Sequence, residues 1–575
     1  MPDPRPARPV DRHPIVSTVG TPGTALSSLV AAVRPQPDGR TVHEDNSPTR
    51  PAVPPAAAEA PADAPTEDLG TEEVPAASTV GSRRGAFSGG LWNAATTVAP
   101  LAGTLALSVI ISRELGADVL GEQSLIAYIS ATMVSVLILS FTNASVQLLA
   151  SSSGAGDEVR RAWLSRWSYW AHLAGGTLSA AVLAGTGLAR GDYRSVWLLA
   201  AANALVDAVG WAYASRDVAR HGWTRTSARR LVAQTLAPLA GIVAIYAGLG
   251  VQGVFIAQLV VSVVLLVALR RLDRGLVEVS PGDHPAPPWR PVAALWGMFA
   301  LASIISQIVD RRLELLFLDH YDDVRTVAMY SVAFSLVSIP GTLTGALIHS
   351  AVPAIAARNA EDPAVVTAAL SRAARVVVTL DLLLAAGTVA VGPAIVLTAY
   401  GADFGQAASL VRWLGLALLI SPLGQLYTTL WSGIGRLRPV LIAGGTAAVV
   451  DIGLAWGLVP PLSTTGAVIA NVSAQTVSAV IMITYTYRSG MRLRLAPGRV
   501  LGTAAIAAAG AAAAIALQSV VPGHLGDLLT VLVFCSIVAV GARLVGLFEP
   551  ADIEWLASTV PGPAARVLRV LSPTR

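Results

Sequence analysis

The sequence predicts an all-α fold: a polytopic integral membrane protein of about fourteen transmembrane helices, in two pseudo-symmetric six-helix lobes plus two C-terminal helices. Three observations carry this expectation. Of 575 residues, 53% are hydrophobic and 13% charged, about half the fraction of roughly 25% usual in soluble domains, which suits lipid as the solvent. Apolar runs of about twenty residues, enough to cross a bilayer as helix, recur along the chain. The connections between them alternate between arginine-rich and arginine-poor, as the positive-inside rule requires of a chain crossing back and forth.

The elements follow in order. Residues 1–82 are rich in Pro, Ala, Asp and Glu and contain no Phe, Trp or Tyr. They hold too little apolar surface to offset chain entropy and are expected to be a disordered cytoplasmic tail. The one apolar run there, Ala25 to Val33, is short and lies well inside the tail, so no cleaved signal peptide is expected. Arg83 and Arg84 then flank the first spanning helix on its cytoplasmic side.

The first lobe, 83–270, takes the runs near 91–112, 123–149, 164–188, 195–214, 231–249 and 251–269. Between the last two only the turn Gly248 to Gly253 marks a boundary. A cytoplasmic basic linker, 271–290, leads to the second lobe, 291–490, with runs near 293–318, 326–356, 376–400, 406–432, 439–459 and 464–487. Runs near 500–521 and 525–548 supply the final two helices, 491–548, and 549–575 reads as a cytoplasmic C-terminal tail.

Loop charge tests this count. Arg160, Arg161 and Arg166, then Arg216, Arg220, Arg225, Arg229 and Arg230, then Arg270, Arg271, Arg274 and Arg290 occupy alternate connections, and the pattern continues to Arg488, Arg492, Arg494 and Arg499. The opposite connections hold Arg113, Arg190, Arg194, Arg325 and Arg412, mostly beside Glu114, Asp192, Asp322 and Asp323. Both termini are therefore expected on the cytoplasmic side of the cell membrane. Loops on both sides are short, leaving no room for a folded catalytic domain.

Composition excludes several activities. All forty basic residues are Arg. Without Lys there is no Walker-type phosphate loop and no Schiff base. The single Cys535 permits neither a disulfide framework nor a thiolate metal site. No cofactor, metal or nucleic-acid partner is expected, and a transporter is expected rather than an enzyme.

A short internal repeat points the same way. Ile111-Ser-Arg-Glu-Leu-Gly116-Ala-Asp-Val-Leu-Gly121 after the first helix parallels Leu318-Asp-His-Tyr-Asp-Asp-Val-Arg-Thr-Val-Ala328-Met-Tyr330 after the seventh. Repeated halves are how many secondary transporters are built, with the substrate path between them. These residues, with Asp310-Arg311, Pro340 and Pro353, Tyr400-Gly401-Ala-Asp-Phe404 followed by Ala407 and Ala408, and Leu458-Val-Pro460 with Gly466-Ala467, resemble the Wzx-like oligosaccharide flippases. That family is a branch of the multidrug, oligosaccharidyl-lipid and polysaccharide (MOP) exporter superfamily. The resemblance covers roughly residues 83–490. It implies an alternating-access flippase that turns a polyprenyl-diphosphate-linked oligosaccharide from the inner to the outer leaflet for cell-surface polysaccharide biosynthesis. Membrane lipids, and glycosyltransferases or a polymerase of polysaccharide synthesis, would be its partners.

Several residues are candidates for the work. Asp310, Arg311, Arg312 and Glu314 are the densest charge cluster within an apolar run. Each such charge costs about 3 kcal/mol on insertion scales unless it faces a cavity or a partner. Arg311 or Arg312, with Asp310 beside them, could grip a diphosphate by a bidentate fork, or the acids could simply pair with the arginines along the helix. Asp207 and Asp381 are isolated intramembrane carboxylates and candidate ion-coupling sites, although an interhelical hydrogen bond explains each as well. Asp451 reads as a structural hydrogen-bonding residue. Arg113, Gly116, Gly121 and Tyr330 belong to the family-like loops and read as structural or gating.

Three alternatives share parts of this pattern. A peptidoglycan lipid-precursor flippase would have fourteen helices but a cavity richer in cations. A multidrug exporter of the same superfamily typically stops at twelve helices. A membrane glycosyltransferase or polymerase needs a long external loop with acidic residues, and none is present.

Overall fold

A computed structural model describes residues 100–554, apart from 221, 274–284, 310–311, 358–362, 492, 494, 522 and 550–551. The expected N-terminal tail, most of the basic linker and most of the C-terminal tail lie outside the described residues, as do Asp310 and Arg311. Among the described residues the chain is helical with no strand. Among the described residues, helices occupy each apolar run read from the sequence.

The first lobe comprises α1 (100–114), α2 (Ala117–Gly154), α3 (Glu158–Arg190), α4 (Arg194–Ala219), α5 (Trp223–Ala244) and α6 (Gly250–Asp273). The second comprises α7, in two pieces Trp289–Val309 and Glu314–Tyr321, then α8 (Val324–Ala357), α9 (Pro363–Tyr400), α10 (Gly405–Gly415 and Ser421–Gly433), α11 (Leu437–Leu462) and α12 (Thr464–Arg488). Helices α13 (Pro497–Val520) and α14 (His524–Val545) complete the chain.

Ten stretches among the described residues are long and apolar enough to cross a membrane, or eleven if the bent pair in α10 counts as one span. The gap between this number and the expected fourteen has physical causes. The apolar run of α1 begins outside the described residues, which start at residue 100 and leave the described part of this helix too short to count as a span. Gly, Ser, Thr and Arg dilute the apolar content of α3. The 50-residue stretch Thr224–Asp273 is two helices: Gly248 and Gly250 adopt positive φ (79° and 57°) and turn the chain back. Gly241 of α5 then faces Val254 of α6, where a methyl would sit 3.2 Å from the Val254 side chain.

The shortest connections, Leu115-Gly116, Asp322-Asp323 and the single Ser463, lie at the arginine-poor end of the bundle. The largest apolar cluster lies there too and draws on both lobes: Ile111, Leu120, Leu125, Ile126 and Trp197 from the first, Leu315, Leu318, Val327, Met329 and Tyr330 from the second. Burial of this cluster holds the lobes together at that end. Deeper in the bundle α2 runs against α7. Gln307 donates to the Ala131 carbonyl (3.3 Å), Ser140 to Ser303 (3.1 Å), and the rings of Phe141 and Trp296 meet edge to face at 5.1 Å. In this stretch α2 widens to a π-helical segment, Val134–Leu139, a feature that often accompanies functional sites in helices.

Helices α13 and α14 dock on α9. The ring of Phe534 fills a slot where Gly387 and Gly510 leave room; a methyl on either would come within 3.1 to 3.2 Å of it. Thr398 donates to Asp527 (2.7 Å) at one end of α9. At the other, Arg375 pairs with Glu549 and Asp552 (3.1 Å each) while Phe548 and Ile553 are buried beside Val376. The start of the segment read as a C-terminal tail is thus packed on the bundle.

Candidate transport site

The site begins at the charge cluster of α7. The first described piece of this helix runs to Val309, and the second starts at Glu314 after a turn in which Leu315 N–H bonds to the Arg312 carbonyl and Leu316 N–H to that of Leu313, both at 3.0 Å. Arg312 lies in this turn and Glu314 follows it. Turns at membrane depth are tolerated only where protein or a hydrated cavity satisfies their backbone. Of the arginines only Arg312 is among the described residues. Its guanidinium lies 5.5 Å from the Phe334 ring of α8. It is also within electrostatic reach of Tyr128, Tyr330 and Tyr400, from α2, α8 and α9.

Glu314 opens the second piece of α7 and turns into the second lobe. There its carboxyl group meets that of Asp451 from α11, with Asn471 of α12 alongside. Glu314, Asp451, Asn471 and Tyr330 are all fully buried. Gln475 donates to the Asn471 carbonyl oxygen (2.7 Å) and so orients that amide. None of the four carboxyl oxygens, nor the Tyr330 hydroxyl, has a hydrogen-bond partner among the described residues. Two unit negative charges 4 Å apart repel by about 4 kcal/mol even at an effective dielectric of about 20. A buried pair of carboxyl groups is less costly when a proton or a cation is shared between them.

The other acidic candidates are separate from this group. Asp207, on α4, is met by Asn203 (3.3 Å), by Ser262 of α6 and by the charge of Arg230 on α5. The Arg230 guanidinium lies 3.1 Å from the centre of the Trp211 ring. Hydrogen bonds from its own and a neighbouring helix, with the nearby positive charge of Arg230, account for that carboxylate. Asp381, on α9, is buried and accepts from Thr344 of α8 (2.9 Å).

The loop residues converge on the seam between lobes at the arginine-poor end. Gly116 has φ 90°, ψ 172°, a conformation open essentially only to glycine, and it turns α1 into α2. Gly121 lies against the backbone of α8: a methyl there would fall 1.9 Å from the Val324 carbonyl oxygen. Arg113 donates to the carbonyls of Thr398 and Ala399 (2.6 Å each), the last carbonyls of α9, and Ser108 meets the Tyr400 hydroxyl at 2.7 Å. Tyr330 belongs to the acidic group rather than to the loop.

The structure thus brings together Arg312, Tyr330, Glu314 and Asp451, and leaves Asp207 and Asp381 apart. By sequence alone Glu314 is a local partner for the arginines of its own helix, and Asp451 is a structural hydrogen-bonding residue. Residues 314 and 451 are far apart in sequence, so their contact leaves no periodic trace. The available signal was that each is an acid in an apolar run, in helices that a two-lobe arrangement packs together.

This architecture is that of a multi-pass helical membrane protein, and comparison with known proteins places the fold. It is similar to lipid II flippase MurJ in an inward closed conformation, with TM-score 0.64 at 12% identity over 79% of this chain and 98% of that one. It is also similar to an inward-facing multidrug resistance MATE family transporter of the MOP superfamily, with TM-score 0.53 at 18% identity over 69% and 96% of the two chains. A MATE in the straight conformation gives TM-score 0.51 at 16% identity over 72% and 97%. Residues 196–409 match the family model described as polysaccharide biosynthesis protein. No curated protein matches the sequence. The chain has the fold of MOP-superfamily transporters, and the resemblance read from its sequence agrees with that fold.

Proposed function

We propose that this protein is a flippase that moves a polyprenyl-diphosphate-linked oligosaccharide from the inner to the outer leaflet of the cell membrane by alternating access between its two lobes. The observation that carries the reading is the Arg312 guanidinium, set within the apolar run of α7 beside the Phe334 ring and within electrostatic reach of Tyr128, Tyr330 and Tyr400. Arg312, with Arg311 and Asp310, binds the diphosphate by charge-assisted hydrogen bonds, which guanidinium groups make bidentate. The match of residues 196–409 to a polysaccharide biosynthesis family supports the substrate class. The arginine-rich ends of the helices face the cytoplasm and the arginine-poor seam faces outward.

The Glu314–Asp451 pair supplies the coupling. Occupied by a proton or a cation it is neutral enough to stay buried, and vacated it repels itself. Its occupancy therefore biases the second lobe through α7, the helix that carries the substrate arginines. Asp381 is the second coupling candidate, and Asp207 the third because Arg230 already balances it.

A reconstituted flipping assay tests the reading. Vesicles carrying polyprenyl-diphosphate-linked oligosaccharide, lipid II or a cationic dye are compared for the parent and for Arg312→Ala, Arg311→Ala and Asp310→Asn. Movement of the oligosaccharide lipid by the parent, lost at least tenfold in an Arg variant that still folds, is the expected result. Movement of lipid II alone makes the protein a peptidoglycan-precursor flippase, the second reading that its MurJ-like fold suggests. Dye export alone makes it a drug exporter.

A further inference from the structure

The α3 terminus carries a charge network that no step above uses. Arg190, the last residue of α3, donates through Nη1 to Asp319 in the second piece of α7 (2.6 Å) and through Nη2 to Glu122 of α2 (3.1 Å). The Trp197 indole N–H of α4 donates to the other Glu122 oxygen (2.6 Å). Both Glu122 oxygens are thus held by first-lobe donors, while Asp319 comes from the second lobe.

We infer that Arg190, anchored by Glu122, and Asp319 form an ionic latch across the seam, closed in this conformation and broken whenever the lobes part at the arginine-poor end. The inference rests on the alternating-access reading above. Glu122 is almost wholly buried, at 4% side-chain exposure, whereas Arg190 and Asp319 keep 26% and 18%. That gradient suits a switch. The Glu122–Arg190 leg is too desolvated to separate cheaply, because a buried charge left alone costs several kcal/mol. The Arg190–Asp319 leg already touches water, so on parting both groups rehydrate at modest cost.

The local charge balance gives the latch a direction. Around the single Arg190 stand Glu122 and Asp319, and the neighbouring Tyr193 phenol, in the connecting loop, is held above its ordinary range by burial and by Glu122, Asp118 and Asp192. Carboxylates exceed guanidinium groups here. Removing Arg190 leaves like charges on the two sides of the seam, whereas removing the Asp319 charge only cancels an attraction. Loss of Arg190 should therefore open the seam further than loss of the Asp319 charge. Arg113, bonded to the terminal carbonyls of α9, is a second tie, but its acceptors are neutral and it lacks this asymmetry.

The test is a distance measurement by pulsed electron resonance on the full chain in liposomes. Cys535 is replaced by Ser, and spin labels are placed at Arg194→Cys and Asp322→Cys, exposed positions on opposite lobes. The parent should be dominated by the short, closed distance. Asp319→Asn should raise the open-to-closed ratio about tenfold, as expected for loss of one charge-assisted bond, Arg190→Gln by more, and Asp319→Glu should restore the parent distribution. Distributions for Asp319→Asn and Arg190→Gln that superimpose on the parent's would overturn the latch. So would an Asp319→Glu variant that opens as far as Asp319→Asn. Glu122→Gln reads the buried leg if Arg190→Gln does not fold. A parent that closes and opens in this way but moves no lipid-linked sugar overturns the flippase reading and leaves the latch standing.

Discussion

Gly121 and Val324 are in backbone contact across the two lobes: a β-carbon on Gly121 would lie 1.9 Å from the Val324 carbonyl oxygen. Helices α2 and α8 approach this closely because Gly121 presents no side chain at the crossing, where the Val324 side chain also lies 2.7 Å from the same position, and the flanking Leu120, Leu125 and Val327 are sealed from solvent.

Substituting Gly121→Ala forces the helices apart at that point. Overpacking a tight contact costs about 1–3 kcal/mol, so thermal unfolding in detergent should fall by several degrees, and the seam should open in the spin-label distance described above. An unchanged melting temperature with a closed seam would show that α8 can shift to accommodate the methyl.

The acidic pair makes a contrasting forecast. Glu314→Gln and Asp451→Asn each remove one of two facing carboxylates, relieving repulsion rather than breaking a bond. Both variants should fold at least as stably as the parent, yet gradient-driven lipid movement should drop tenfold or more. The reading requires that Asp207→Asn in the first lobe have the smaller effect on gradient dependence. Initial rates with and without an imposed pH or sodium gradient check this.

Asp207 and Arg230 should behave instead as a structural pair. Removing one member of a buried pair leaves an uncompensated charge and costs about 3–5 kcal/mol. Asp207→Asn and Arg230→Gln should each lower the unfolding temperature, and the double variant should lose less than the sum. Additive losses would show that the two do not interact.

At the start of α8 the Asp323 carboxylate accepts the Thr326 backbone N–H at 2.7 Å, capping the helix. Hydrogen bonds from the Thr326 side chain and then its backbone hold this exposed carboxyl below the usual carboxylate range. A group whose folded value is depressed contributes stability that is full above its unfolded value, about 3.9 for Asp, and is lost as pH falls through the folded value. Asp323→Ala should cost about 1 kcal/mol at pH 7, the usual worth of such a cap. The difference in melting temperature from the parent should hold steady from pH 7 to 5 and shrink only in stronger acid.

What the sequence by itself determined is the all-helical, membrane-spanning architecture. Lipid forces every backbone group to bond within its own segment, so apolar runs such as 439–459 become helices wherever they fall, and arginines sort by side. Even the 50-residue apolar stretch divides where Gly248 and Gly250 permit a turn. The sequence also placed charge in α7, and with it the expectation of a site. It left open whether Arg312 faces a partner or a path, because that depends on which helices surround it.

Tertiary structure alone decided the rest. Glu314 meets Asp451 because α7 and α11 pack side by side, and Arg190 reaches Asp319 because α3 and α7 end at the same level of the seam. Spacing along the chain encodes neither meeting, since a single polar contact between distant helices has no period. Local rules could see the cost of a buried charge, but only the packing of the lobes supplies the partner that offsets it.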